Sequence, residues 1–173
     1  MSGRPASFSL DQGDRLCLDG GNGFGKSSLL RLVLGEEVPH TRFLRQASGM
    51  VISYVPQKAA HLQDAPVTWA EAQNIDLTQF LTILRKLDFS QELFVQDMAG
   101  YSAGQRKKVL LATSLCQSAH LYVGDEPLNY IGLFSRIQIE ELLMEYRPTL
   151  LFVEHDQVFQ EKIATKTVEL WNH

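Results

Sequence analysis

Apolar and polar positions change rhythm several times along the chain, and each change marks an element. Ser7 to Leu10 alternates weakly, Asp11 to Asp14 reads as a hairpin turn, and Arg15 to Asp19 follows as a strand. Lys26 to Leu34 carries Leu29, Leu30, Leu32, Val33 and Leu34. That set is too dense for a solvent-facing helix and predicts a largely buried one closed by Gly35. Val51 to Val55 is β-branched and aromatic and stops at Pro56, as a strand would. Pro66 to about Gln117 has helical spacing, with turn signals near Asp88 and at Gly100 to Gly104. Leu121 to Val123 reads as a short buried strand, Ile137 to Tyr146 as a helix, Thr149 to Glu154 as a strand and Lys166 to Leu170 as a last strand. The alternation predicts an α/β fold: a mostly parallel sheet covered on its faces, with antiparallel strands at the N-terminus.

Composition narrows the class. The 173 residues, 45% hydrophobic, suit a single domain spanning 1–173 with a helical subdomain over about 66–116. A net charge of -4 with both signs interspersed gives no sequence-wide footprint for a nucleic-acid backbone, so no DNA partner is expected. Cys17 and Cys116 lie far apart among apolar neighbours, which favours buried free thiols in a reducing compartment. No apolar run approaches the roughly 18 residues of a membrane helix, and the start lacks the apolar core of a secretion signal. A cytoplasmic chain without membrane insertion is the expectation.

The segment between the second predicted strand and the first helix carries the chemistry. Gly20, Gly21, Asn22, Gly23, Phe24, Gly25, Lys26 and Ser27, with Ser28 next, match G-x-x-x-x-G-K-[ST] in the strand-to-helix context that pattern requires. Its glycines let backbone N–H groups converge on phosphate oxygens, and the following helix N-terminus adds a favourable dipole. Lys26 would then bridge the β- and γ-phosphates, with the Ser27 hydroxyl on Mg²⁺. About 100 residues later the strand around Leu121 ends in Asp125 and Glu126, an acid placed to hold Mg²⁺ through water and a neighbour able to polarise the attacking water. His155 follows another apolar strand, where it could sense a γ-phosphate. Ser102, Ala103, Gly104 and Gln105 open an apolar-faced helix, a second anion-binding device.

Together with Gln57 after the VISYV strand, these segments resemble the nucleotide-binding domain of ATP-binding cassette (ABC) proteins. The order is Walker A, glutamine loop, signature helix, Walker B and histidine switch, and the resemblance covers nearly the whole chain. Asp125-Glu-Pro-Leu-Asn-Tyr-Ile and the run ending at Gln57 are similar to the ABC-F class, soluble twin-cassette ATPases of the ribosome. Phe8 to Ser28, Ser102 to Leu115 and Asp125 to Asn129 followed by the Ser135 to Leu143 run look like the second cassette of the antibiotic-resistance proteins that protect ribosomes from lincosamides, streptogramin A and pleuromutilins.

The resemblance implies ATP and Mg²⁺ as cofactors, with Ser27, Gln57 and Asp125 near the metal. Glu126 would be the general base, His155 a contact to the γ-phosphate and Gln57 a link between Mg²⁺ and water. Ser102, Ala103, Gly104 and Gln105 would meet the nucleotide of an opposite cassette. Partners would be that second cassette, in the same polypeptide or in a homodimer, and the ribosome. Isolated, the chain should bind nucleotide weakly and hydrolyse it slowly.

Several positions depart from the pattern. Tyr101 replaces the usual leucine, Gly132 an aspartate, and Gly124 an apolar strand residue. The strand that stacks an aromatic residue on adenine is expected to be lacking, which implies a partial chain, with Phe8 a weak substitute. Two other readings compete: the ATP-binding subunit of a membrane transporter, and a degenerate cassette that no longer turns over.

The remaining features read as bland. Arg106-Lys107-Lys108 is expected on a solvated helix face rather than on RNA. Trp69 and Phe80 read as packing residues. His40, His61, His120 and His173 lack metal-ligand spacing, so Mg²⁺ carried with ATP is the one metal expected.

Overall fold

The computed structural model describes residues 7–23, 25–39, 43–59 and 62–170. Strands and helices alternate: β1 (Arg15–Asp19), α1 (Lys26–Val33), β2 (Ile52–Val55), α2 (Pro66–Ala72), α3 (Leu77–Lys86), α4 (Ala103–Cys116), β3 (Leu121–Asp125), α5 (Leu133–Tyr146), β4 (Leu150–Val153), α6 (Gln157–Ile163) and β5 (Lys166–Glu169). Two short 3-10 turns, Gln91–Val95 and Met98–Gly100, lie between α3 and α4. The five strands form one sheet in the order β2-β3-β4-β1-β5. β1 runs parallel to β4 and β5, and β3 parallel to β4.

The chain divides into two compact units. The first comprises 1–54, 119–126 and 147–173. Its central strands β1, β3 and β4 are largely buried, so their sequences read as apolar runs rather than alternating ones, whereas edge strand β5 is mostly exposed. Leu16, Leu18, Leu121, Val123, Leu151 and Val153 pack with Leu30 and Val33 of α1. Each of these residues burying its side chain contributes about 2 kcal/mol. Cys17 and Phe152, the intervening positions, point the other way, and Phe152 meets the ring of Phe159 on α6 edge-on at 5.7 Å. Burial among apolar neighbours pushes the Cys17 thiol up to about 12, as an inert core cysteine requires. Half-buried Cys116, in the other unit, is likewise free, and burial pushes its thiol up to about 11. At the outer edge, Lys166 of β5 pairs with Asp14 at 2.5 Å, which puts a charge on a strand that would otherwise offer its backbone to another chain.

The expected antiparallel strands at the N-terminus are not found among the described residues. Ser7 to Leu10 has no ladder, because both edges of β1 are already taken by β4 and β5. The turn at Asp11 to Asp14 does form, closed by Asp14 N–H donating to the Asp11 carbonyl at 3.0 Å. Phe8 and Leu10 pack on the core cluster instead, and Phe8 lines a cavity of about 1090 Å³ with Leu29, Val33, Met50 and Leu151.

The second unit comprises 55–118 and 127–146. Phe80, Ile83, Leu84 and Leu87 of the α3 region are buried, with Val109 and Ala112 of α4. Phe89 stacks on Phe94 at 6.4 Å and meets Tyr101 edge-on at 5.8 Å, so Tyr101 serves as a core aromatic. The Tyr101 hydroxyl donates to the Leu93 carbonyl, and burial pushes its pKa up to about 12. Trp69 donates its indole N–H to Thr113 Oγ1 at 2.9 Å, so Trp69 and Phe80 are packing residues as expected. Helix α5 begins at Leu133, a turn before the expected Ile137, with the Gly132 carbonyl accepting from Arg136 N–H in the first helical bond.

Candidate nucleotide site

Three parallel strands of the first unit end along one sheet edge, and each ends in a candidate residue. The register sets Asp125 of β3 opposite Val153 of β4, and Phe152 of β4 opposite Cys17 of β1. The chain therefore delivers Gly20 after β1, Asp125 and Glu126 at the end of β3, and Glu154 and His155 after β4 to the same carboxyl edge. Ligands of open parallel sheets bind there.

The loop from Gly20 to Lys26 is shaped by its glycines. Gly20, Gly23 and Gly25 take φ of +134°, +85° and +82°, and Gly25 caps α1. Gly21, Asn22, Gly23 and Gly25 are exposed, as are Ser27 and Ser28, while Phe24 lies outside the described residues. Lys26 is buried, and its ammonium donates to the Gly20 carbonyl across the loop. Side chains at Gly23 and Gly25 would meet nothing within 4 Å, so space remains around the loop's outer rim.

Gly20 is different. A Cβ there would stand 2.5 Å from the Leu170 carbonyl oxygen, where the chain leaves β5. Gly20→Ala should therefore destabilise the chain by about 2 kcal/mol, from overlap and backbone strain together. Gly23→Ala meets only the strain and should cost less. Denaturant titration of both variants checks the order, and equal losses would contradict it.

Asp125 is buried, and Glu126 beside it adopts a left-handed backbone, φ +50°, uncommon for a residue with a side chain. Its amide is held by the Val153 carbonyl at 2.9 Å. That conformation aims the carboxylate at His155, whose Nε2 lies 3.1 Å from Glu126 Oε1. With its proton on Nε2, the imidazole donates to the carboxylate and orients it. His155 is itself placed by its neighbour: its amide donates to Glu154 Oε1 at 3.0 Å. Asp156 then caps α6 by accepting from Phe159 N–H at 2.9 Å. Glu154, buried at the foot of this turn, is a supporting acid that the sequence reading did not single out; its adjacency to His155 was the available signal.

The loop fits a polyphosphate. It offers open backbone on an exposed rim, one buried cation and a helix N-terminus. Ser27 and Asp125 add hard oxygen donors of the kind that suit Mg²⁺ retaining water and phosphate ligands. ATP would supply the anhydride bond and carry the metal. Lys26 would offset phosphate charge, and Glu126, oriented by His155, is the group able to take a proton from water.

Gln57 and the 102–105 segment belong to the second unit. Gln57 is exposed just past β2. Ser102 caps α4 in a reciprocal box: its hydroxyl oxygen accepts from Gln105 N–H at 3.2 Å, and Gln105 Oε1 accepts from Ser102 N–H at 2.9 Å. Ala103 is exposed. Gly104 is tightly seated, for a Cβ there would lie 2.6 Å from the Tyr130 carbonyl oxygen.

The basic run behind this cap is not the solvated face expected of it. Lys107 is fully buried, and its ammonium donates to the Pro56 and Gln57 carbonyls at 2.5 and 3.0 Å. Arg106 donates to the Ala99 carbonyl at 2.7 Å, and burial lowers the Lys108 pKa. Of the histidines taken as bland, His120 accepts from Val51 N–H at 2.9 Å, a structural tie; the other three lie outside the described residues. Among the described residues, no helix is long and apolar enough to cross a membrane.

Comparison with known proteins places the chain among relatives. The chain is 29% identical over 171 residues to the ribosome protection protein VmlR of Bacillus subtilis, covering 97% of this chain and 31% of that one. It is 26% identical over 171 residues to ABC transporter F family member 2 of Arabidopsis thaliana, covering 95% of this chain and 25% of that one. The chain thus has homologues in the ABC-F group and spans about a quarter to a third of their length. An archaeal ribosome recycling factor, aABCE1, solved in complex with ribosomal stalk protein aP1, shares the fold. Its TM-score is 0.78 over 92% of this chain and 32% of that one, at 21% identity. A family model described as ABC transporter matches residues 4–129, and the chain belongs to that family of ATP-binding domains.

Proposed function

We propose that this chain is one cassette of an ABC-F type ATPase that acts on the ribosome, binding Mg-ATP through Gly20 to Ser28 and hydrolysing it with Glu126 as the base. The observation that supports this best is the convergence of the phosphate loop, Asp125–Glu126 and His155 on one carboxyl edge of the sheet. Asp125 adds a carboxylate to the Mg²⁺ shell, and Gln57 is assigned to the same ion from the family resemblance alone. Ser102 to Gln105 serve the nucleotide of a second cassette, either elsewhere in a longer polypeptide or in another copy of this chain. Similarity to VmlR supports placing the work on the ribosome, and ribosomal protection against antibiotics is the specific role we assign.

Two measurements test the reading. Mg-ATP and Mg-ADP titrated onto the 173-residue chain should reach half-saturation at or below about 1 mM, at least about 4 kcal/mol of binding. Cosedimentation with bacterial ribosomes should then increase when a non-hydrolysable ATP analogue is present. A folded chain that fails to saturate at millimolar nucleotide overturns the ATPase reading. Nucleotide binding without any ribosome association overturns only the ribosomal part.

A further inference from the structure

We propose that Lys107 is a positioning residue that fixes the Gln57 loop on the helix that opens with Ser102. The lysine has no exposed surface, and placing an ammonium inside protein costs several kcal/mol unless hydrogen bonds replace the lost water. A leucine at this point of α4 would fill the same space at no such cost. Instead Nζ leaves the helix and takes two successive carbonyls, Pro56 at 2.5 Å and Gln57 at 3.0 Å, 51 and 50 residues back along the chain.

Geometry gives the ammonium a specific effect. One donor group gripping two consecutive carbonyls fixes the two peptide planes on either side of the Gln57 Cα. The exposed Gln57 side chain then projects from a defined backbone although it sits on a loop. Lys107 lies five residues beyond the Ser102 cap, on the same helix. Its partner loop therefore moves with that cap. On its other side the start of α4 lies close against the Tyr130 backbone at Gly104, where a Cβ would stand 2.6 Å from the Tyr130 carbonyl oxygen.

This proposal deepens the reading of the nucleotide site and rests on it only for the second of two readouts. The first readout is the backbone order parameter of the nucleotide-free chain, from NMR relaxation. Lys107→Met keeps the length and removes the donors; it should take Gln57 and Lys58 from about 0.85, the value of rigid backbone, to below about 0.6 while leaving β3 and β4 unchanged. Lys107→Arg keeps donors and should restore part of the order. Unchanged order parameters at Gln57 and Lys58 in a folded Lys107→Met chain overturn the proposal, as does a uniform fall across the chain in both variants, which marks a general packing role.

The second readout is the gain in ATP affinity on adding Mg²⁺. Lys107→Met and Gln57→Ala should each reduce that gain about tenfold, the usual cost of losing a group that orients a metal ligand. The double variant should lose no more than either single one. Additive losses overturn the proposal. Should the parent chain bind no nucleotide through Lys26, the function proposed above falls, and the relaxation result alone decides the role of Lys107.

Discussion

Lys26→Ala is expected to weaken Mg-ATP binding by about a hundredfold or more while the chain stays folded. The ammonium is buried at the start of α1 and spans the phosphate loop to the Gly20 carbonyl, so it stands among the loop's amides rather than in solvent. A polyphosphate entering the loop would exchange that neutral carbonyl for anionic oxygens. Charge-assisted hydrogen bonds contribute about 1.5–3 kcal/mol each, and losing two of them accounts for the hundredfold. The backbone amides and helix N-terminus remain in the variant, so residual weak binding is expected. Folding should survive, because the Gly20 N–H still donates to Asp19 Oδ1 at 2.7 Å and β1 keeps its ladders on both sides. Titration with a fluorescent ATP analogue, with circular dichroism as the check on folding, measures this. A folded variant that titrates like the parent chain would remove the loop from the mechanism.

The second large effect is expected at Glu126. Glu126→Gln should lower the rate of phosphate release by about 10²- to 10⁴-fold, the range a positioned general base contributes. Affinity for Mg-ATP should stay within about twofold. Glutamine matches the shape, adopts the same backbone and can still face His155 Nε2, yet it cannot accept a proton at neutral pH. Single-turnover hydrolysis at saturating nucleotide separates the chemical step from binding. Turnover within tenfold of the parent would assign the base elsewhere on the edge. Equal losses in rate and affinity would make Glu126 a packing residue instead.

What the sequence revealed was set by how local each feature is. The phosphate loop was readable because glycines, lysine and flanking apolar runs all lie within twenty residues, and β1 matches its expected bounds of Arg15 and Asp19. Helix α6 was missed because in seven residues it buries only Phe159 and Ile163, one pair at i,i+4, too little for a period to show. Its Asp156 cap was the remaining cue. Ser7 to Leu10 has the look of a strand since Phe8 and Leu10 are partly buried, but pairing depends on which edges of β1 are free, and the distant β4 and β5 decide that. Helix α5 was begun late because Leu133 and Phe134 are exposed apolar residues in its first turn, which blurs the face the pattern needs. Lys107 was misjudged for a related reason. Its two neighbours are cations, and nothing nearby in sequence announces carbonyls 50 residues away.

The seat of Gly104 changes what its own motif can be taken to mean. The Tyr130 carbonyl bars any side chain at this position whether or not a nucleotide ever visits, so the glycine would be kept by a cassette whose turnover had been lost. Ala103, exposed one residue earlier, is under no such constraint. A survey of cassettes that weighs both positions alike would score architecture as activity. Exposed Ala103, not Gly104, is where contact with a partner's phosphate would leave a mark separable from the demands of the fold.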